Sequence, residues 1–243
     1  MKRTVIFGDV HGDADQLRKF IDHVKSTYGD VQFETLGDLI DRGRDSKKVI
    51  QICIDEGVQG VFGNHELWIR SLIETGHLDP FPLSSVMGGK ATMISYGVPR
   101  EMFHGRSDEH VVRKLGPTML QLMPESHKEF LMSLKRWRKI EADGEFAWLT
   151  HNSIKRNQMM SLLQVTRTEE LALDMISNST LWPPTQHWIP GKLHEFSDGF
   201  QVFGHSPQDE AEITPHYVSL DTGCGTCFPY KLSGLVLPDM VLI

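Results

Sequence analysis

The feature that most constrains this chain is a recurring junction. A short apolar run breaks into a turn that carries a carboxylate, an asparagine or a histidine. The clearest case is the run over 31–36 entering Gly37-Asp38-Leu39-Ile40-Asp41-Arg42-Gly43, which sets two carboxylates and an arginine within five positions. Similar breaks follow the runs over 4–7 (Gly8-Asp9-Val10-His11-Gly12), 58–62 (Gly63-Asn64-His65-Glu66), 145–150 (His151-Asn152), 200–203 (Gly204-His205) and 217–220 (Asp221-Thr222-Gly223). A strand buried on both faces reads as a continuous apolar run, and α/β folds gather their ligand sites at the carboxyl ends of strands. Asp9, His11, Asp38, Asn64, His151 and His205 are therefore the side chains such a fold would bring together. One Gly-Asp after a strand is an ordinary turn. A whole series of such junctions, in order, is not.

Between the first junctions lie helical patterns. Asp13 is placed to cap a helix whose apolar positions Ala14, Leu17, Phe20, Ile21 and Val24 share one side, with Gly29 closing it. A second helix is predicted over 46–55, carrying Val49, Ile50, Ile52, Cys53 and Ile54, and Gly57 ends it. Strand, helix, strand, helix, strand predicts right-handed βαβ units and a parallel core. The segment 67–123 differs. It opens as a helix over 67–74 and then becomes rich in Gly, Pro and Met, which reads as a helical and loop insertion able to lie over a cleft, or equally as a packed appendage. Its Met87, Met93, Met102, Met119 and Met123 read as core gap-fillers. Pro124 is expected at the first position of a helix through 134. Asp143-Gly144 predicts a hairpin between strands over 137–142 and 145–150. A polar turn and a helix over 168–176 lead to Leu181-Trp182-Pro183-Pro184, which cannot be regular helix. Closing strands are expected over 232–238 and 240–243.

The 243 residues suit one domain, 1–243, with a sizeable core. A net charge of −7 argues against a broad nucleic-acid-binding face while leaving room for a local basic groove. Met1-Lys2-Arg3 followed by an apolar run resembles the start of a signal peptide, but the run ends at Gly8-Asp9, too early for one. No apolar run approaches the roughly 20 residues of a membrane span. Three cysteines leave one unpaired under any disulfide scheme, so a reducing, cytoplasmic setting is expected.

The six donors are oxygens and imidazoles without a thiolate, a set suited to Mn²⁺, Fe or Zn²⁺ at a reactive centre. They exceed what one catalytic metal takes from protein. Two ions sharing a carboxylate would use them all, and Asp38, central in the order, is the expected bridge. Two ions roughly 3.5–4 Å apart can lower the pKa of a shared water and polarise a phosphoryl group, which suits hydrolysis by in-line attack.

Taken together, the three Gly-led motifs at 8–12, 37–43 and 63–66 resemble the signatures of the phosphoprotein phosphatase family, within the calcineurin-like metallophosphoesterases. His151, Gly204-His205 and Asp221-Thr222-Gly223 resemble its later motifs, and the spacing is closest to the compact bacterial and phage members. The resemblance implies an αββα sandwich of two mixed β-sheets flanked by helices, around two divalent metal ions, most naturally Mn²⁺. It implies that Asp9, His11 and Asp38 hold the first ion and that Asp38, Asn64, His151 and His205 hold the second. His65 would be the general acid, hydrogen-bonded to Asp41. Arg42 would grip the phosphate, Asn64 could also touch it, and Glu66 would be a structural hydrogen-bonder. Two departures stand out. Asn152 follows His151 where the family has Gly or Ala, and no arginine follows Leu181-Trp182, where a second phosphate-binding one is expected. Lys155, Arg156 and Lys192 are the candidate substitutes. Cys224-x-x-Cys227 is a single pair and reads as two loop thiols, with a redox couple as the sharper alternative.

The function expected first is hydrolysis of phosphoserine or phosphothreonine in proteins. The alternative is cleavage of small phosphoesters such as dinucleoside polyphosphates, with a nucleotide pocket built by 67–123. A reading of another class is a non-catalytic metal-binding scaffold, against which the paired His65 and Asp41 argue.

Overall fold

The computed structural model describes residues 2–104, 108–175, 193–227 and 230–243. The expectations about Leu181-Trp182-Pro183-Pro184 and Lys192 fall outside the described residues. The first third follows the predicted alternation: β1 (Thr4–Phe7), α1 (Ala14–Tyr28), β2 (Gln32–Thr35), α2 (Ser46–Asp55) and β3 (Gln59–Gly60). Asp13 caps α1 by accepting the Gln16 N–H at 3.0 Å, and the five apolar positions named above are all buried. The strands pair in parallel, β1 with β2 and β2 with β3.

Among the described residues, three α-helices then occupy much of the insertion: α3 (Glu66–Thr75), α4 (Gly89–Ser95) and α5 (Asp108–Leu122). The methionines behave as expected, with Met87, Met93, Met119 and Met123 buried in the main core and Met102 packed against it. α6 (Glu125–Ser133) leads to the hairpin β4 (Trp137–Ala142) and β5 (Glu145–Thr150). Then come α7 (Arg156–Thr166), α8 (Glu169–Met175), β6 (Gly199–Phe203), β7 (Glu212–Ile213), β8 (Tyr217–Ser219), β9 (Gly234–Leu237) and β10 (Val241–Leu242).

Among the described residues the strands form two mixed sheets, β10-β9-β1-β2-β3 and β4-β5-β6-β8-β7. Side-chain alternation along β1 shows how they stack. Val5 and Phe7 join the core formed with the helices, whereas Ile6 joins Ala147, Leu149, Val202 and Val218 between the sheets. On the far side of the second sheet, Trp148 stacks on Phe196 with centroids 4.4 Å apart, over the Met159 and Leu173 side chains of α7 and α8. The layers are helices, sheet, sheet, helices, the predicted sandwich.

Local differences from the expected elements have physical causes. β3 is shorter than 58–62: Val61 still donates its N–H to the Thr35 carbonyl of β2, but beyond it the chain turns to Lys135, whose carbonyl accepts the Phe62 N–H. Pro124 is extended, with ψ at 146°, and stands outside α6 as its cap instead of opening it. The stretch after His151 holds a full helix, α7, where a polar turn was expected; among its residues only Met159 is buried, so its apolar signal is faint. β7 is two exposed residues with no pattern to read.

Candidate metal centre

The site residues sit where β1, β2, β3, β5 and β6 give way to loops, and the loops are drawn together by backbone contacts that leave no room for side chains. A β-carbon on Gly37, whose φ is +93°, would collide with the Gly63 nitrogen, and one on Gly63 would collide with Asp38 Oδ1. The Glu66 carboxylate ties the same two loops. It accepts the N–H groups of Gly63 at 2.7 Å, Asp38 at 2.9 Å, Leu39 at 2.8 Å and Ile40 at 3.4 Å. The expected structural role of Glu66 is thus visible as geometry. The loops are also strained: His11, Asp38, Asp41, Arg42 and His205 all have positive φ, between 47° and 72°. Such conformations cost non-glycine residues of the order of 1 kcal/mol or more each, and they collect where side-chain placement matters more than backbone comfort.

Asp38 stands at the middle. Its Oδ2 lies 3.6 Å from His11 Nε2 and 3.8 Å from His65 Nε2, and its Oδ1 lies 3.4 Å from His151 Nε2. Two clusters of potential metal-binding atoms result, His11–Asp38–His65 and Asp38–His151–His205, each with its atoms within 4.8 Å of one another. Asp38 belongs to both. Asn64 Oδ1 joins the second, 2.9 Å from His151 Nε2 and 2.8 Å from His205 Nδ1. Asp9 borders the first, its Oδ2 3.8 Å from His11 Nε2, while its Oδ1 accepts the His205 N–H at 3.2 Å. All six donors expected from the sequence therefore meet in one place, and His65 lies among them.

Several observations show that these groups fit divalent cations. Asp9 Oδ2 is buried without a hydrogen-bond partner. Two imidazoles spend their Nδ1 on backbone carbonyls, His11 on Ile40 at 3.2 Å and His151 on Leu36 at 2.8 Å. This arrangement leaves Nε2 facing the cluster and orients both rings as metal ligands need to be oriented. Asp9, Asp38 and Asp221 are three carboxylates buried at one place, and such a concentration draws positive charge. Burial, reinforced by Asp221, holds the Asp9 carboxyl well above its usual range. Burial would also raise Asp38, but the His151 and His65 imidazoles outweigh it and hold the carboxyl well below. His151 responds in the opposite sense: burial disfavours its charge, yet Asp38 carries it up to about 10. For His205, partial burial and the neighbouring His151 lower the imidazole to about 4.

Asp41 lies beside the cluster, fully buried. Its Oδ2 accepts His65 Nδ1–H at 2.9 Å and Trp68 Nε1–H at 3.0 Å, and its Oδ1 accepts the Thr92 hydroxyl at 2.7 Å. Arg42 is exposed, with Nη1 3.0 Å from His11 Nε2, so its guanidinium stands at the mouth of the site. Trp68 and Thr92 were not singled out in the sequence. Trp68 follows His65 at a helical spacing of three, a readable signal, whereas Thr92 lies in a stretch without a motif. Of the candidate second basic groups, Arg156 opens α7 and lines a small cavity with Met160, Leu193, His194 and Glu195. Cys224 and Cys227 are free thiols, with Cys224 buried and its Sγ 3.6 Å from the Val10 carbonyl.

Comparison with known proteins agrees with this geometry. Residues 2–209 match the family model described as calcineurin-like phosphoesterase. A relative from Neisseria gonorrhoeae, named bis(5'-nucleosyl)-tetraphosphatase, symmetrical, is 33% identical over 238 residues, covering 89% of this chain and 86% of its own. The zinc-dependent endopolyphosphatase of Saccharomyces cerevisiae is 24% identical over 249 residues, covering 92% of this chain and 72% of its own. A crystal structure provisionally named a diadenosine tetraphosphatase superposes with a TM-score of 0.61 at 21% identity, over all of this chain and 92% of the other, and so shares the fold. The family match over most of the chain, joined to a sandwich fold and to Asp and His clusters that meet at its strand ends, establishes the chain as a member of the calcineurin-like phosphoesterase family and as a hydrolase of the metallophosphoesterase kind.

Proposed function

We propose that this phosphoesterase uses two divalent cations, of which Mn²⁺ best matches the hard oxygen and imidazole donors. Asp9, His11 and Asp38 would hold one; Asp38, Asn64, His151 and His205 would hold the other. The observation that carries the reading is that the two oxygens of Asp38 face different donor groups, with the His65–Asp41 pair alongside. When bound, such ions polarise phosphoryl oxygens and activate water. The chain's own part follows from its hydrogen bonds. Asp41 accepts from His65 Nδ1–H, which orients the ring and leaves Nε2 to deliver a proton to the departing oxygen. Arg42, exposed at the mouth, offers its planar donors to a phosphate. The Asn64 carboxamide is placed to contact that phosphate as well.

For the substrate, the relatives support the second of the expected classes over phosphoproteins: a phosphoanhydride in a dinucleoside polyphosphate or a similar small polyphosphate. The insertion 67–123 would border the cleft, a place supported by Gly88, whose carbonyl accepts the Arg42 N–H, and by the Thr92–Asp41 bond. Among the described residues no helix is long and apolar enough to cross a membrane. A cytoplasmic setting is the reading that three free thiols favour. The test is a side-by-side measurement with Mn²⁺ of diadenosine tetraphosphate, short-chain polyphosphate and a phosphothreonine peptide. Conversion of the dinucleotide to ADP at a higher kcat/KM than the peptide is expected. Faster release of phosphate from the peptide would restore the phosphoprotein reading. Activity indifferent to chelation would refute the metal centre.

A further inference from the structure

The Asp41 carboxylate is held from three directions, and only one of its partners, His65, has been given a part in the chemistry. Trp68 belongs to the first turn of α3. Thr92 comes from α4, inside the insertion and 51 positions along the chain from Asp41. Thr92 is fully buried and makes no contact with solvent.

The protons in this network can be assigned from donor inventory alone. Indole nitrogen only donates, so Trp68 Nε1–H goes to Asp41 Oδ2. The Thr92 hydroxyl has one proton, and the 2.7 Å approach to Asp41 Oδ1 takes it. The Thr92 oxygen is then left as an acceptor, which is what the Asp41 N–H at 2.9 Å requires. Ser46 Oγ, 2.9 Å from the same oxygen, must donate to it, while accepting the Asp41 N–H at 3.2 Å. Every donor finds an acceptor in one arrangement only. In that arrangement both carboxylate oxygens of Asp41 are occupied, the carboxylate plane is fixed, and its remaining lone pair on Oδ2 points at His65 Nδ1–H.

We infer that Thr92, with Trp68, is a positioning residue for proton delivery: by locking the Asp41 carboxylate, the insertion sets the orientation of His65 toward the leaving oxygen. The inference rests on the reading of His65 as proton donor given above. Thr92 touches neither substrate nor reacting atoms; it acts through Asp41. A valine at this position keeps the shape and removes the proton that holds Oδ1, freeing the carboxylate to turn about its bond to the chain. The geometry also gives the insertion a function in the reaction itself, since α4 could not be removed without releasing Asp41.

The experiment compares wild type, Thr92→Ser, Thr92→Val, Trp68→Phe, His65→Asn and the double variant Thr92→Val/His65→Asn. The substrates are p-nitrophenyl phosphate, whose phenolate departs without needing a proton, and phenyl phosphate, whose phenolate does need one. Thr92→Val is expected to lower kcat on phenyl phosphate by about 10–100-fold, the usual scale for removing a group that orients a catalytic one. The loss on p-nitrophenyl phosphate should be much smaller, with KM little changed for either. Trp68→Phe should behave in the same way, which keeps the idea testable should Thr92→Val fold poorly, and Thr92→Ser should restore the rate. In the double variant, Thr92→Val should add nothing to the loss caused by His65→Asn. A readout independent of turnover is the hydrogen-bonded His65 Nδ1 proton, observed by NMR in the metal-free protein. It should persist in Thr92→Ser and shift or broaden in Thr92→Val. Equal losses on both substrates, or losses that compound with His65→Asn, would overturn the positioning role while leaving His65 as the acid. An absence of leaving-group dependence in His65→Asn itself would overturn both.

Discussion

Glu66 offers the sharpest test of how the site is held together. Glu66→Gln keeps the shape and replaces one carboxylate oxygen by an NH₂ group. Whichever way the amide is turned, two backbone donors lose their acceptor: Gly63 and Asp38 in one orientation, Leu39 and Ile40 in the other. An unsatisfied buried donor costs about 1–3 kcal/mol, so two cost about 2–6 kcal/mol, and the surviving oxygen no longer carries charge. Against a total stability of about 5–15 kcal/mol, this is a large fraction. The expected result is therefore a destabilisation near 4 kcal/mol, within that roughly 2–6 kcal/mol range. The assay is urea unfolding with chelator present, so that metal binding cannot restore the loss by mass action. The slope should be unchanged while the midpoint falls. A second consequence concerns Asp38, whose own N–H is one of the four: looser support should weaken metal retention on dialysis. A Glu66→Gln protein within about 0.5 kcal/mol of wild type, the range of an ordinary surface change, would refute the account of Glu66 as the tie between the two loops.

Three further outcomes are expected. Asp38→Asn should lower the metal retained per chain, measured by elemental analysis after gel filtration, because it weakens the one side chain shared by both donor groups; two ions still bound at wild-type affinity would contradict the shared role. Gly63→Ala should cost about 1–3 kcal/mol in denaturant unfolding, since its methyl group meets Asp38 Oδ1, and a neutral result would show that the loops can separate freely. Burial pushes Glu34 from 4.5 up to about 7 in spite of the Arg138 guanidinium 3.0 Å away. Because the folded value is the higher one, its contribution is full below pH 4.5, declines as pH rises, and is lost above about pH 7. Glu34→Gln should therefore match wild type near pH 4.5 and exceed it by about 3 kcal/mol at pH 8, and a constant difference across that range would reject the shift.

The parts of this protein legible in its sequence are those whose chemistry and local conformation occur in the same few residues. Asp9, His11, Asp38, Asn64, His151 and His205 each announce themselves by a donor side chain at the end of an apolar run, and all six converge. Glu66 could be read as structural because it follows the cluster residues directly on α3. Thr92 could not, because its importance exists only once α4 packs against α2 and brings its hydroxyl to Asp41 and Ser46. Nothing within ten residues of it carries a signature. The helix α7 escaped for a related reason: with Met159 alone buried, its sequence does not declare a face. Asp221 reads from the sequence as a strand end, but its place as a third carboxylate beside Asp9 depends on how the two sheets meet. Prediction from the chain thus succeeds at strand termini and fails where a contact spans layers.

The division of the donors between the sheets has a consequence for synthesis. Those numbered 9 to 64 follow strands of one sheet, whereas His151 and His205 follow strands of the other, and the first sheet itself awaits β9, which lies against β1. A nascent chain with its opening half outside the ribosome owns three of the signature loops yet lacks the far wall that would close them. The six donors can therefore come together only after the residues through His205 and the β9 strand have left the ribosome, well after the first three loops.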